Sequence, residues 1–258
     1  LGPNGAGKTT AVAILLGLRA PDGGRAMLFG RDPRDPQARR GVGAVLQDVS
    51  FPPGLRVGEV VDLVRAHFPN ARQTVDALGL LDLGGLVHRD AAGLSGGQKR
   101  RLAVALALAG RPRALFLDEP TAGMDPAARR SLLRDVTSFA DQGGAVLLTT
   151  QQLSEAEEIA TRVVVIDGGR IEAEGSVGEI KRLGGVTRGI VRAPRLPELP
   201  GALATEFRNG RHVVFVGDAD AYVAALVRAD VEFHDLEIVR STLEDAVLGL
   251  TKKASGSG

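Results

Sequence analysis

The first ten residues constrain this chain more than any later stretch. Gly2-Pro-Asn-Gly-Ala-Gly-Lys-Thr-Thr10 runs directly into an apolar segment over residues 11–18. Small residues ahead of a helix let the backbone N–H groups of positions 5 to 9 close around phosphate oxygens, at the positive end of the helix dipole. The spacing Gly2-x-x-x-x-Gly7-Lys8-Thr9 meets every fixed position of the phosphate-loop pattern. Lys8 is then expected to reach the β- and γ-phosphates, and the Thr9 hydroxyl to ligate a divalent cation. A plain glycine-rich turn with a surface lysine would look the same locally. Only five of the 32 cationic residues are lysines, however, and Lys8 is the only one before position 99. A lysine kept at that slot favours the functional reading.

The rest of the chain alternates strand and helix signals. Residues 26–29 and 43–46 read as short strands, and the pattern turns helical from Asp48 to about Gly110. Val57, Val60, Val61 and Val64 form one stripe of helical period, and Leu102, Leu106 and Ala109 another. Residues 114–117 are a continuous apolar run, the signature of a strand buried on both faces, and they end on Asp118-Glu119. Asp125-Pro126 opens a helix, with Asp at the cap and Pro in the first turn. Residues 145–149 read as a strand, 154–160 as a helix and 163–166 as a strand. Asp167-Gly-Gly169 turns into 170–174, and Ser176 caps a helix to about Leu183. After Gly184-Gly185, Pro194, Pro197 and Pro200 mark a compositional shift. The segments 212–216, 222–227 and 236–239 then suggest a small α+β appendage.

Two further motifs carry chemistry. The apolar strand places Asp118 near the glycine loop, where it can hold Mg²⁺, and places Glu119 to polarise an attacking water. In Leu94-Ser-Gly-Gly-Gln98, Ser95 caps a long helix, while Gly96 and Gly97 let another surface approach its N–H groups. That makes a second phosphate site, so one chain carries two half-sites that cannot serve the same nucleotide in a monomer.

In this order, the glycine loop, Gln47, Leu94 to Gln98, Asp118-Glu119 and Ala122-Gly-Met-Asp125 resemble the ATP-binding subunit of an ABC transporter, over residues 2 to about 185. The resemblance implies an α/β fold: a P-loop NTPase (RecA-like) core at 1–185, with a helical subdomain inserted at about 48–110. A small C-terminal α+β accessory domain at 186–250 and a flexible tail at 251–258 follow. ATP and Mg²⁺ are the implied cofactors. Asn4, Gly5, Ala6, Gly7, Lys8, Thr9 and Thr10 would hold the nucleotide, and Thr9, Gln47 and Asp118 the metal. Gln47 would also contact the attacking water, with Glu119 as general base. Ser95, Gly96, Gly97 and Gln98 would clamp the γ-phosphate of ATP held by a partner subunit, and Asp125 would couple the two sites of the dimer.

The resemblance departs at one position. The family usually has a switch histidine where this chain has Gln151, which can hydrogen-bond but cannot carry a proton as imidazolium does. Two readings stand: a weakened site, or the normal switch of a subfamily. The daunorubicin-exporter ATPases that pair with ABC-2-type permeases resemble this chain in having Thr-Thr-Gln. With Lys8, Asp118 and Glu119 retained, an active ATPase is the favoured reading. Residues 236–251 are also similar to the closing segment of those ATPases. An amphipathic helix packed on its own small sheet is the expectation there, against a regulatory or dimer-stabilising role. The implied setting is the cytoplasmic face of the cell membrane, bound to an ABC-2-type permease as a homodimer or heterodimer of ATPase subunits.

Composition narrows the alternatives. With 32 basic and 31 acidic residues the net charge is +1, so nothing demands nucleic acid as a partner. The absence of cysteine excludes a disulfide scaffold, a thiolate metal site and a cysteine nucleophile. No apolar run approaches the roughly 20 residues of a membrane-spanning helix. A single cassette disfavours the translation type of ABC ATPase. The 87 positions from Lys8 to Ser95 leave no room for the coiled coil of the DNA-repair type. No lysine follows an asparagine, so the guanine-binding motif of GTPases is absent. A regulatory, non-hydrolysing partner in a heterodimer rests on Gln151 alone. The family's N-terminal strands, including the one that feeds the P-loop, and an adenine-stacking aromatic would lie upstream of Leu1. Without them, the isolated polypeptide is expected to fold poorly and to bind ATP weakly.

Overall fold

The computed structural model describes residues 1–184, 187–239 and 242–247. They fall into two compact units, one of residues 7–151 and the other of residues 1–6 together with those from 152 onward.

The first unit runs α1 (Lys8–Leu15), α2 (Pro36–Arg39), β1 (Val42–Val45), α3 (Val57–Arg65), α4 (Thr74–Gly79), α5 (Gly96–Ala109), β2 (Ala114–Asp118), α6 (Pro126–Asp141) and β3 (Ala145–Thr149). The three strands form one parallel sheet in the order β1-β2-β3, with Val45 opposite Leu117 and Asp118 opposite Thr149. All five residues of β2 are buried, as its unbroken apolar run demands. Val12 and Leu16 pack with Ala114 and Phe116 beneath one face. On the other, a Cβ on Gly43 would lie 2.3 Å from the Ala107 carbonyl oxygen. The missing side chain therefore lets α5 press against the backbone of β1. Each leucine buried in such a core, Leu115 and Leu117 among them, contributes about 1.5–3 kcal/mol.

The stretch from Asp48 to about Gly110, read as helical, contains α3, α4 and α5. Val57, Val60 and Val61 are buried and Val64 is half-buried. Along α5 the buried face is wider than the expected stripe: Val104, Ala105 and Leu108 join Leu102 and Ala109, whereas Leu106 is only half-buried. That helix packs against both β1 and α3–α4, so more than one side of it is covered. The strand expected at 26–29 does not form. Leu28 makes only an isolated bridge to Arg31, because Phe29 (φ 51°) and Gly30 (φ 78°) fold the chain straight back on itself.

The second unit contains α7 (Leu153–Ile159), the antiparallel hairpin of β4 (Val163–Asp167) and β5 (Arg170–Gly175), and α8 (Val177–Gly184). An antiparallel sheet follows, made of β6 (Thr187–Arg192), β7 (Ala202–Arg208), β8 (Arg211–Val216) and β9 (His234–Val239) in the order β7-β8-β6-β9, with α9 (Ala219–Arg228). Tyr222 and Leu226 of α9 bury against Val214 and Val216, so the lone tyrosine is a packing residue. The Leu1 nitrogen donates to the Val164 carbonyl at 2.7 Å, and the Ile166 N–H returns a bond to the Leu1 carbonyl at 2.8 Å. A Cβ on Gly2 would lie 2.0 Å from the Ile166 carbonyl oxygen.

The closing segment corrects one expectation. Leu243, Ala246 and Val247 do not pack on the small sheet. They bury with Ala156, Val163, Val165, Ala173 and Ile180, on α7, the β4–β5 hairpin and α8. The Leu243 N–H donates to Glu157 at 3.4 Å, and Arg188 meets Asp245 at 3.2 Å. The apolar spacing i, i+3, i+4 seeks an open apolar surface. On the small sheet, α9 already covers Val214 and Val216. Residues 236–239 of that segment belong to β9; residues 240, 241 and 248–251, with the tail expected at 251–258, lie outside the described residues.

Candidate nucleotide site

Parallel strands leave the sheet at one edge. Gln47 lies two residues past β1, Asp118 ends β2, Glu119 follows it, and Gln151 follows β3 by two residues. The fold thus gathers at one edge four of the residues singled out from sequence.

Asp118 is fully buried. Its Oδ1 accepts the Thr149 hydroxyl, while its Oδ2 is buried with no hydrogen-bond partner. An unpartnered buried carboxylate oxygen is costly unless a cation or its water completes it. The Thr9 hydroxyl on the first turn of α1 is exposed, and a hydroxyl and a carboxylate are the kind of hard oxygen donor that could hold Mg²⁺. Among the described residues there is no group of three or more His, Cys, Asp or Glu able to hold a metal.

Glu119 is half-buried at the strand exit. Its carboxylate accepts the Gln151 amide at 2.6 Å. Its N–H lies 3.0 Å from the Thr149 carbonyl and 3.2 Å from the Thr149 hydroxyl. Thr149 therefore ties Asp118 and Glu119 together, a role the sequence did not single out. The Asp118–Thr149 register was its only signal.

The N-terminus of α1 follows Gly7, whose φ of 101° only glycine adopts readily. Lys8 is buried, and Thr9 and Thr10 are exposed. Asn4, Gly5 and Ala6 belong to the other unit, where Asn4 and Gly5 are exposed and the Ala6 carbonyl accepts the Gly169 N–H at 3.2 Å. Gln47 is exposed.

Ser95 caps α5 as expected. Its hydroxyl accepts the Gln98 N–H at 3.3 Å, and the Gln98 side chain accepts the Ser95 N–H at 3.0 Å. A Cβ on Gly97 would lie 3.8 Å from Met124, so the start of α5 lies beside the loop that ends at Asp125. Asp125 caps α6 through the Ala127 and Ala128 N–H groups, and the Ala128 bond is the main cause holding its carboxyl below the usual range. One turn into α5, Arg100 Nη1 donates to the Glu119 carbonyl at 2.8 Å.

A family model described as "ABC transporter" matches residues 1–122. A daunorubicin resistance ATP-binding protein, DrrA3 of Streptomyces coeruleorubidus, is 36% identical over 97% of this chain and 85% of that protein. The chain belongs to the ABC transporter family. Within it, this is an ATP-binding subunit with the P-loop NTPase fold, and ATP hydrolysis is the activity of that family. The Nod factor export ATP-binding protein I of Cupriavidus pinatubonensis is 42% identical over 68% of this subunit and 56% of that relative. A solved ATP-binding subunit of an ABC transporter superposes with a TM-score of 0.65 at 26% identity, covering 70% of this subunit and 79% of the other. Among the described residues, no helix is long and apolar enough to cross a membrane.

Proposed function

We propose that this subunit hydrolyses ATP with Mg²⁺ to power an exporter of drugs or other hydrophobic solutes, through a separate permease of the ABC-2 type at the cytoplasmic face of the membrane. The relatives named for daunorubicin resistance and Nod factor export support the exporter reading. In this reading Gly5 to Thr10 and Asn4 hold the nucleotide, with Lys8 on the β- and γ-phosphates. Thr9, Gln47 and Asp118 hold the metal. Bound Mg²⁺ supplies charge neutralisation at the phosphates. Glu119 takes a proton from the attacking water while Gln151 fixes its carboxylate. Ser95 to Gln98 close on ATP held by a second ATPase subunit, identical or not, and Asp125 couples the two sites.

One observation carries this reading: the fully buried Asp118 with an open oxygen stands beside a Glu119 held by Gln151 at 2.6 Å. The contact also favours an active site over a weakened one, since the glutamine is engaged. In the purified protein Glu119→Gln is expected to lower phosphate release about 100-fold or more while ATP binding persists. Equal phosphate release by both proteins overturns the reading.

A further inference from the structure

Glu119 has a φ of 50°, a left-handed conformation that side-chain-bearing residues seldom adopt. Such a residue persists only where its surroundings over-determine it. On the amino side, its N–H is held by Thr149 of β3, at 3.0 Å to the carbonyl and 3.2 Å to the hydroxyl. On the carboxyl side, its carbonyl accepts two donors: the Ala122 N–H at 3.3 Å and Arg100 Nη1 at 2.8 Å. The turn bond to Ala122 is long and internal to the loop. Arg100 supplies the shorter, charge-assisted bond, from a different element.

We propose that Arg100 is a positioning residue for hydrolysis: from α5 it clamps the peptide that follows Glu119 and so holds the Glu119 carboxylate in line for the attacking water. The inference rests on reading Glu119 as the general base. Without the guanidinium, the peptide between Glu119 and Pro120 loses its shorter bond, and the left-handed φ relaxes towards commoner values. The carboxylate then swings with its backbone, away from the position Gln151 marks. Arg100 lies one turn inside the helix whose first residues, Gly96 and Gly97, follow the cap at Ser95. A displacement of α5 at its phosphate-binding end therefore reaches the base through a single side chain. The half-site that faces a partner's nucleotide is thereby tied to the base serving the chain's own.

The test compares Arg100→Met, which keeps the aliphatic stem but removes every donor, with Arg100→Lys, which keeps one charged donor. Steady-state ATP hydrolysis, ATP affinity and thermal melting are measured for both, alone and with Glu119→Gln. The expectation for Arg100→Met is a kcat lower by about tenfold or more, with KM for ATP within about twofold. Arg100→Lys should recover most of the loss, and Arg100→Met should cost nothing further in the Glu119→Gln background. A kcat within about twofold of the parent for Arg100→Met overturns the proposal. So does a loss that appears in KM rather than kcat, or an additive loss on top of Glu119→Gln. Should Arg100→Met fail to fold, Arg100→Lys decides: kcat within about threefold of the parent supports the clamp, and a tenfold loss overturns it. If Glu119→Gln itself turns over normally, the general-base reading falls and the clamp with it. If Glu119→Gln is inactive and Arg100→Met is not impaired, only the clamp falls.

Discussion

Strand β2 is buried along its whole length, whereas β7, at the edge of the second sheet, leaves Leu203 and Phe207 about two-thirds exposed, at 66% and 65%. The difference follows from how each sheet is connected. Parallel strands must return through helices, so both faces become covered and every strand exits at the same edge. That edge is where Asp118, Glu119, Thr149 and Gln151 meet. Antiparallel strands reverse direction at each turn, so strand ends alternate and no edge collects side chains. In this molecule the first arrangement concentrates chemistry, while the second presents a scaffold with α9 on one face.

The largest expected effect tests that division directly. Leu115 and Leu226 are both fully buried, one in each sheet system. Truncation of either to alanine is expected to cost about 2–5 kcal/mol of stability, read from denaturant unfolding. Leu115→Ala should lower turnover as well, whereas Leu226→Ala should leave kcat within about twofold at a temperature where the protein stays folded. Loss of turnover in a folded Leu226→Ala protein would break the comparison.

Next in size is Thr149→Val, which strips the hydroxyl from both Asp118 and Glu119. Leaving Asp118 Oδ1 buried and unpaired should cost about 1–3 kcal/mol and lower kcat by roughly tenfold. Thr149→Ser should restore most of both, and a valine variant with parental kcat would show that the register alone positions the pair.

A subtler effect concerns Gln151, which does not titrate. Gln151→His is expected to add a step in the pH profile of kcat near pH ~6.5, absent from the parent protein. A parental profile that already carries the same step would refute this.

The smallest effect compares two helix caps. Asp125 accepts two N–H groups and Asp218 one. Asp125→Ala should lower the Tm by roughly 1–3 °C, and Asp218→Ala by less. The Asp125 carboxyl titrates lower in the folded protein than in the unfolded chain. Its stabilisation is therefore fully present above pH ~4 and is lost as pH falls through the depressed folded value. Asp125→Asn should keep the cap without that acid-dependent part.

Much of the candidate site was legible because its supports are local. A strand covered on both faces shows itself as an apolar run, and this placed Asp118 and Glu119. The Ser95–Gln98 reciprocal cap and the Asp125-Pro126 helix start are likewise written in neighbouring residues. Thr149 and Arg100 act across the fold, one through strand register and one through the reach of a side chain from a helix that also carries Lys99 and Arg101. Neither leaves a local pattern. In the second sheet, β6 and β7 went unread because Thr, Arg, Gly and Glu dilute their apolar alternation. The closing segment had a readable apolar face, yet spacing says nothing about which surface that face will meet.

Gly43 carries a mechanical consequence. Helix α5 has 14 residues, a rod of about 21 Å, with Ala107 near one end and the Ser95 cap at the other. The bare backbone of Gly43 is the seat for the far end of that rod. A single methyl group added there would lift the seated end and tilt the rod, shifting Ser95 and Arg100 at once. Hydrolysis would then be throttled by leverage alone, with every polar group at the nucleotide site chemically intact.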